Sequence, residues 1–118
     1  MKSAKHIVLG FYSALEKQDY AGIRRLLHDN LSFRGPIDTF DDAAPYLEAL
    51  KKLAPITERI EVKKMFAEET DVCVLYDLVT KTPAGTAFVA EWFQVKGEKI
   101  AAIQVVFDAR PFAAMFAK

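Results

Sequence analysis

The chain has 118 residues, and its 16 lysines and arginines balance its 16 aspartates and glutamates, so its formal net charge at pH 7 is zero. A nucleic-acid-binding protein usually carries a basic face, so this balance argues against that function. No apolar run approaches the roughly 20 residues that a membrane-spanning helix needs, and a single cysteine, Cys73, excludes an internal disulfide. We therefore expect one cytoplasmic domain, residues 1–118, that binds neither nucleic acid nor membranes.

The first third of the chain predicts two helices and a short strand. Apolar residues recur at helical spacing over residues 7–15, and this first helix should end near Asp19. Aspartate is a residue type that caps helix N-termini, so a second helix is predicted over residues 20–28. A short strand is predicted over residues 31–34, where a Gly-Pro pair at residues 35–36 ends it.

A third helix is predicted over residues 43–53. Asp41 and Asp42 precede it as candidate caps, and Pro45 is tolerated because it falls within the first helical turn. Pro55 then ends the helix, since proline has no amide hydrogen and clashes with the preceding turn.

The second half of the chain alternates between apolar and polar residues, as strands do. The predicted strands cover residues 57–67, 71–80, 86–95 and 100–107. Short connections make consecutive strands antiparallel. Helices followed by strands give an α+β fold, in which three N-terminal helices pack on a strongly curved antiparallel β-sheet and form a cone with an internal pocket. An apolar tail, with Phe112, Met115 and Phe116, is expected to pack on the body or on a partner.

Glu91 is the strongest functional candidate, because it is an acid within an otherwise apolar strand. Strand alternation places it on one face with Val89, Phe93 and Val95. An acid on an apolar face is costly unless it is protonated, hydrogen-bonded or open to a pocket. Two interpretations follow: an acid or base whose pKa is raised by desolvation, or a buried glutamate satisfied by a tyrosine or a backbone group.

Three segments, residues 11–19, 33–36 and 91–100, and a closing Phe107-Asp108 pair carry a resemblance to a known family. With this order of elements, the chain is similar to the nuclear transport factor 2-like superfamily and most resembles its SnoaL-like branch. The resemblance implies a cone fold with an internal pocket. It leaves the function open, because the superfamily includes isomerases, polyketide cyclases, dehydratases, epoxide hydrolases and non-enzymatic binding domains.

The ketosteroid isomerases of this superfamily allow a comparison at single residues. Their acid on a late strand aligns with Glu91, whereas their helix tyrosine aligns with Phe11, next to Tyr12. Their base aligns with Gly35, and Asp38 in the same loop is an alternative base. The usual isomerase apparatus is therefore not expected.

Histidine and cofactor chemistry are also not expected. The cyclases of the SnoaL-like branch use a histidine and aspartate pair, but His6 and His28 fall outside any strand that would line the pocket. One cysteine and two distant histidines give no metal-ligand spacing, and the scattered glycines form no phosphate-binding loop. We therefore expect neither a metal nor another cofactor.

Tyr76 shares a strand face with Val72, Val74 and Leu78. In the family arrangement this face lines the pocket, so Tyr76 is a candidate to hydrogen-bond Glu91 or a ligand oxygen. Core filling is the alternative. The remaining candidates for ligand binding are Tyr12, Phe33, Tyr46, Phe93, Ile103 and Phe107.

The opposite face of the same strand carries Cys73, Leu75, Asp77 and Val79, and it is unusually apolar. Dimers of this fold bury outward apolar sheet faces. The resemblance therefore implies a homodimer through the outer sheet face.

Three functions remain open at this point. The first is proton-transfer chemistry on a small apolar molecule by an isomerase, cyclase, dehydratase or hydrolase, with Glu91 as the acid or hydrogen-bond donor. The second is a non-catalytic module that holds an apolar ligand in the cone. The third is a dimeric scaffold whose cone is filled by its own side chains.

Overall fold

Capping and periodicity place the helices close to where the sequence predicts them. In the computed structural model, which describes residues 2–113, the helices are α1 (Ala4–Glu16), α2 (Tyr20–Arg25) and α3 (Ala43–Leu53). The Ser3 side chain accepts a hydrogen bond from the amide of His6 and so caps α1. Asp19 caps α2 in the same way, through the amide of Gly22.

Six strands follow or interleave with these helices. They are β1 (Leu27–Arg34), β2 (Thr39–Phe40), β3 (Thr57–Glu68), β4 (Asp71–Thr80), β5 (Thr86–Lys96) and β6 (Lys99–Val106). They form one sheet in the order β2-β1-β6-β5-β4-β3. The strands β3 to β6 pair antiparallel with their sequence neighbours, as predicted.

The strand β1 makes the sheet mixed rather than wholly antiparallel. It pairs with β6 in parallel, so that Leu27 aligns with Ile100 and Phe33 with Ile103. No tight turn joins these two strands, because α3 and the four strands β2 to β5 lie between them in the sequence, and a parallel pair needs such a long crossover. This pairing starts β1 at Leu27 rather than at residue 31, and it ends α2 at Arg25 rather than at residue 28.

Local irregularities curl the sheet around the helices without closing it. The register shifts between Val62 and Lys64 in β3, and again near Val95 where β5 pairs with β6. Such bulges bend a strand and increase its twist. The concave face holds the core, where α1 buries Val8 and Phe11. The α+β arrangement of three helices on a curved sheet is therefore confirmed.

The segment after β6 folds back onto the body. A turn of 3₁₀ helix at Arg110–Phe112 brings the Phe112 ring edge-on against Phe107, with ring centroids 5.9 Å apart. The other apolar tail residues, Met115 and Phe116, lie outside the described residues. Among residues 2–113, the structure shows no helix that is both long and apolar enough to cross a membrane.

Candidate functional site

A cavity of about 760 Å³ lies between the concave face of the sheet and α3. Small-molecule sites usually occupy roughly 300–1,000 Å³. Most of the wall is apolar, and its aromatic members are Phe33, Phe40, Tyr46, Tyr76, Phe107 and Phe112. Three exposed charged residues, Asp38, Glu48 and Lys52, lie at the mouth. The interior is therefore suited to an apolar ligand, with few polar groups to orient it.

Among the described residues that line the cavity, Glu91 is the only buried acid. It is only 5% exposed, and its neighbours across the strands are Val74 and Val105. Desolvation raises the pKa of its carboxyl from 4.5 to about 7, although hydrogen bonding from Tyr12 and Tyr76 opposes this rise. Both protonation states are therefore populated near neutral pH.

Tyr12 reaches Glu91 from α1. Its hydroxyl donates a hydrogen bond to Oε1 of Glu91 at 2.5 Å. The Tyr12 ring is held edge-on by Tyr76 and Phe93, whose ring centroids lie 5.9 Å and 5.7 Å away. These contacts fix the donor, so one carboxyl oxygen of Glu91 is occupied by the protein itself.

Two further tyrosines stand near the carboxyl. Tyr76 approaches Glu91 from β4, and Tyr46 comes from α3; both are buried on the cavity wall. Burial and the charge of Glu91 raise the pKa of Tyr12, Tyr46 and Tyr76. All three hydroxyls therefore stay protonated at neutral pH, and each can donate a hydrogen bond.

The tyrosine that binds Glu91 is Tyr12, one residue after Phe11, the position that the alignment with ketosteroid isomerases indicated. Phe11 is fully buried, and its ring packs on Phe93 with centroids 5.4 Å apart. Tyr12, the next residue, is turned about 100° around the helix and points toward β4 and β5. The tyrosine and acid pair is thus present with a shifted helix position.

Residues 8–103 match the sequence profile of the SnoaL-like domain. The chain is a SnoaL-like domain. It belongs to the nuclear transport factor 2-like superfamily, so the predicted resemblance is confirmed. No curated protein sequence gives a significant match.

Solved structures share the fold of this SnoaL-like domain over nearly its whole length. A nuclear transport factor 2-like protein of unknown function from Cytophaga hutchinsonii is 26% identical. The structural match has a TM-score of 0.82 and covers 95% of this chain and 96% of that one. An LEH-like epoxide hydrolase from M. tuberculosis is 15% identical. This match has a TM-score of 0.78 and covers 96% of this chain and 88% of that one. A putative ketosteroid isomerase from Kribbella flavida is 11% identical. This match has a TM-score of 0.79 and covers 88% of this chain and 76% of that one. At such low identities, the last two show the fold alone.

The SnoaL-like domain brings five of the predicted site residues together on the cavity wall. These are Phe33, Tyr46, Tyr76, Glu91 and Phe107. Tyr12 is not itself on the cavity wall, but it donates a hydrogen bond to Glu91 and packs against Tyr76, which are. Strand alternation and the predicted third helix were the signals that found this group.

Phe93 and Ile103, two other predicted ligand-binding residues, lie in the core and are not part of the cavity wall. They face each other across β5 and β6, and the Phe93 ring packs against Phe11 of α1. The part of the sheet that α1 covers is filled, whereas the cavity lies where α3 stands over it. Strand alternation gives the face of a residue, but it does not show which helix covers that residue.

Sequence reasoning missed several wall residues. Val89 shares the face of Glu91 and could have been found by the same alternation. Leu50 and Leu53 of α3 belong to its apolar stripe, which gave no sign of a cavity. Ile37 comes from the loop between β1 and β2, where no periodic pattern exists.

The two histidines considered for other chemistries are not part of the cavity wall. His6 is exposed on α1, and Nε2 of His28 lies 2.7 Å from the backbone oxygen of Lys96. Asp38, the alternative base, is exposed at the mouth. Within residues 2–113 no three His, Cys, Asp or Glu side chains cluster as metal ligands do.

Proposed function

We propose that this SnoaL-like domain binds a small, largely apolar molecule in its cavity and transfers a proton through Glu91. One observation carries the proposal: a buried carboxyl with a pKa of about 7 lines a largely apolar cavity of about 760 Å³. A group whose pKa lies near the working pH is the most effective general acid or base.

The neighbours of Glu91 suit distinct roles in such a reaction. Tyr12 donates its hydrogen bond to Oε1 and does not line the cavity, so it is a positioning residue for the carboxyl. Tyr46 and Tyr76 line the cavity and supply hydroxyl donors for a ligand oxygen on which negative charge develops. This arrangement supports proton abstraction or donation of the isomerase, cyclase, dehydratase or hydrolase type. The fold shared with an LEH-like epoxide hydrolase and a putative ketosteroid isomerase is consistent with it.

Hydrogen exchange at the carbon beside a ketone tests the proposal without knowledge of the natural substrate. Tetralone, an uncharged bicyclic ketone, is incubated with the protein in D₂O, and loss of its α-hydrogen signal is followed by NMR. We expect the wild type to accelerate exchange and Glu91→Gln to lose about 100-fold or more of that acceleration, since an amide cannot take the proton.

The control for this experiment is Glu16→Gln, which removes an exposed carboxylate from α1. It should exchange tetralone at the wild-type rate, and circular dichroism should show that both variants are folded. Undiminished exchange in folded Glu91→Gln would contradict the proposal.

A binding module without turnover is the second candidate. Gly35 supplies no side chain at the position of the isomerase base, and Asp38 is exposed at the mouth. Glu91 therefore has no second buried acid on the described part of the wall to share acid and base roles. Tetralone that binds, by calorimetry, without any exchange above background would favour this function.

We also propose that the domain forms a homodimer through the outer face of the sheet. Phe66 aligns with Cys73 across β3 and β4, and Cys73 with Trp92 across β4 and β5. Phe88 and Val106 on this face are 60% and 63% exposed. Exposed apolar side chains of this kind on one face of a sheet are typical of a protein–protein contact.

A further inference from the structure

Glu91 has no positively charged partner among the described residues. The groups that face its carboxyl are Tyr12 from α1, Tyr76 from β4 and Tyr46 from α3, while Val105 lies opposite on β6. Among residues 2–113, the only cationic residue on the cavity wall is Lys52, which is exposed at the mouth. The deep end of the cavity therefore holds an acid without a counter-ion.

A buried carboxylate without a counter-ion is an unfavourable state that a ligand can relieve. Taking a charge out of water is costly, and the cost is recovered only when an opposite charge and hydrogen bonds are supplied. Folding has already removed Glu91 from water, so a cationic ligand would lose only its own hydration. A carboxylate ligand would instead place two like charges together in an apolar cavity.

We propose that the cavity prefers apolar molecules that carry a protonated amine at their buried end. The ammonium group contacts the carboxylate of Glu91, whose Oε1 also accepts the hydrogen bond of Tyr12. The hydroxyl oxygens of Tyr46 and Tyr76 accept its other hydrogens. The aromatic rings on the wall add cation–π attraction, and they contact the apolar body of the ligand.

The charges at the mouth do not reverse this preference. Lys52 is balanced there by Asp38 and Glu48, and Glu48 is also paired with Lys51 at 2.9 Å. All of these groups are exposed, so water and salt screen their effect on a ligand. The buried end decides the charge of the ligand.

This inference uses the cavity and Glu91 of the proposed function, and it does not depend on turnover. It concerns the charge of the preferred ligand and holds for an enzyme and for a binding module alike. Failure of the amine preference leaves the exchange of an uncharged ketone untouched. Conversely, loss of that exchange leaves the amine preference standing.

Isothermal titration calorimetry with three probes of the same shape tests the inference. Naphthylethylamine, naphthylethanol and naphthylacetate differ in the charge of the head group and share the apolar body. At about pH 8 we expect the amine to bind about tenfold more tightly than the alcohol, and the acetate about tenfold more weakly, because Glu91 is then ionised.

The pH dependence identifies Glu91 as the group responsible. The amine stays protonated below about pH 9, and with a Glu91 pKa of about 7 its affinity should rise by somewhat less than about tenfold from about pH 5.5 to about pH 8. Near pH 6 the binding should release about half a proton, seen as a dependence of the heat on the buffer. Affinity for the alcohol should change little or fall over the same range.

Two variants complete the test. Glu91→Gln should bind the amine and the alcohol with similar affinity at every pH, while the control Glu16→Gln should behave as the wild type. If Glu91→Gln does not fold, Tyr12→Phe serves instead, since it keeps the carboxyl and should move the midpoint of the affinity rise to higher pH. An acetate that binds as tightly as the amine, or an amine affinity independent of pH, would overturn the inference.

Discussion

Glu91 owes its place to the two-residue repeat of its strand and its altered acidity to the elements packed over it. The repeat put it on the buried face with Val89 and Phe93, and the structure has both neighbours buried. The rise of its pKa to about 7 comes from burial. The sequence showed an acid on an apolar strand face, and only the packed structure shows that it is buried and hydrogen-bonded by a tyrosine.

The hydrogen bond from Tyr12 gives the first prediction at the scale of the residue. Tyr12→Phe removes the donor that favours the ionised carboxylate, so the pKa of Glu91 should rise above about 7. Carbon-13 NMR of labelled glutamate side chains during a pH titration measures this directly.

The matched variant for this measurement is Tyr20→Phe, which removes a tyrosine hydroxyl from α2. This variant should not change the pKa of Glu91. A Glu91 midpoint that falls in Tyr12→Phe would show that the hydroxyl does not stabilise the carboxylate.

At the scale of the element, α2 shows how local and distant signals compete. Its start is local, because Asp19 caps it through the amide of Gly22 at 2.9 Å. Its end is not local. The residues after Arg25 are compatible with a helix, but they pair as β1 with β6, a strand some 70 residues later in the chain.

The cap gives a prediction for the stability of α2. Asp19→Ala removes the side-chain acceptor and should lower the free energy of unfolding by about 1 kcal/mol. Denaturation in urea, followed by circular dichroism, gives this difference.

Asp42→Ala is the comparison, because Asp42 stands at the N-cap of α3 without a side-chain capping bond. It should change the free energy of unfolding less than Asp19→Ala. Equal losses in the two variants would mean that the observed cap bond contributes no specific stability.

At the scale of the whole molecule, the outer face of the sheet gives a prediction on assembly. A charge at Val106, as in Val106→Lys, should break a dimer that buries this apolar face. Light scattering on a sizing column at micromolar concentration should show a dimer for the wild type and a monomer for the variant. Leu9→Lys, an equally drastic change at an exposed residue of α1 outside this face, should remain dimeric.

The stability of the whole molecule should depend on pH through Glu91. Its pKa is about 7 in the folded state and 4.5 ordinarily, so the folded state binds the proton more tightly. The resulting stabilisation is complete below about pH 4.5 and is lost as the pH rises through about 7, by roughly 3 kcal/mol in total. Urea denaturation of the wild type and Glu91→Gln at about pH 5 and about pH 8 measures it. The wild type should lose more stability than the variant, and parallel losses would contradict the assignment.

The sequence by itself determined the helices apart from the end of α2, the four long strands, their antiparallel pairing and the face of Glu91. These features follow from periodicity, capping and tight turns, which act over a few residues. The tertiary structure alone decided the parallel pairing of β1, the filled space around Phe93 and Ile103, and the bond from Tyr12 to Glu91. Each of these depends on contacts between segments far apart in the chain, and no local pattern encodes which distant segments meet.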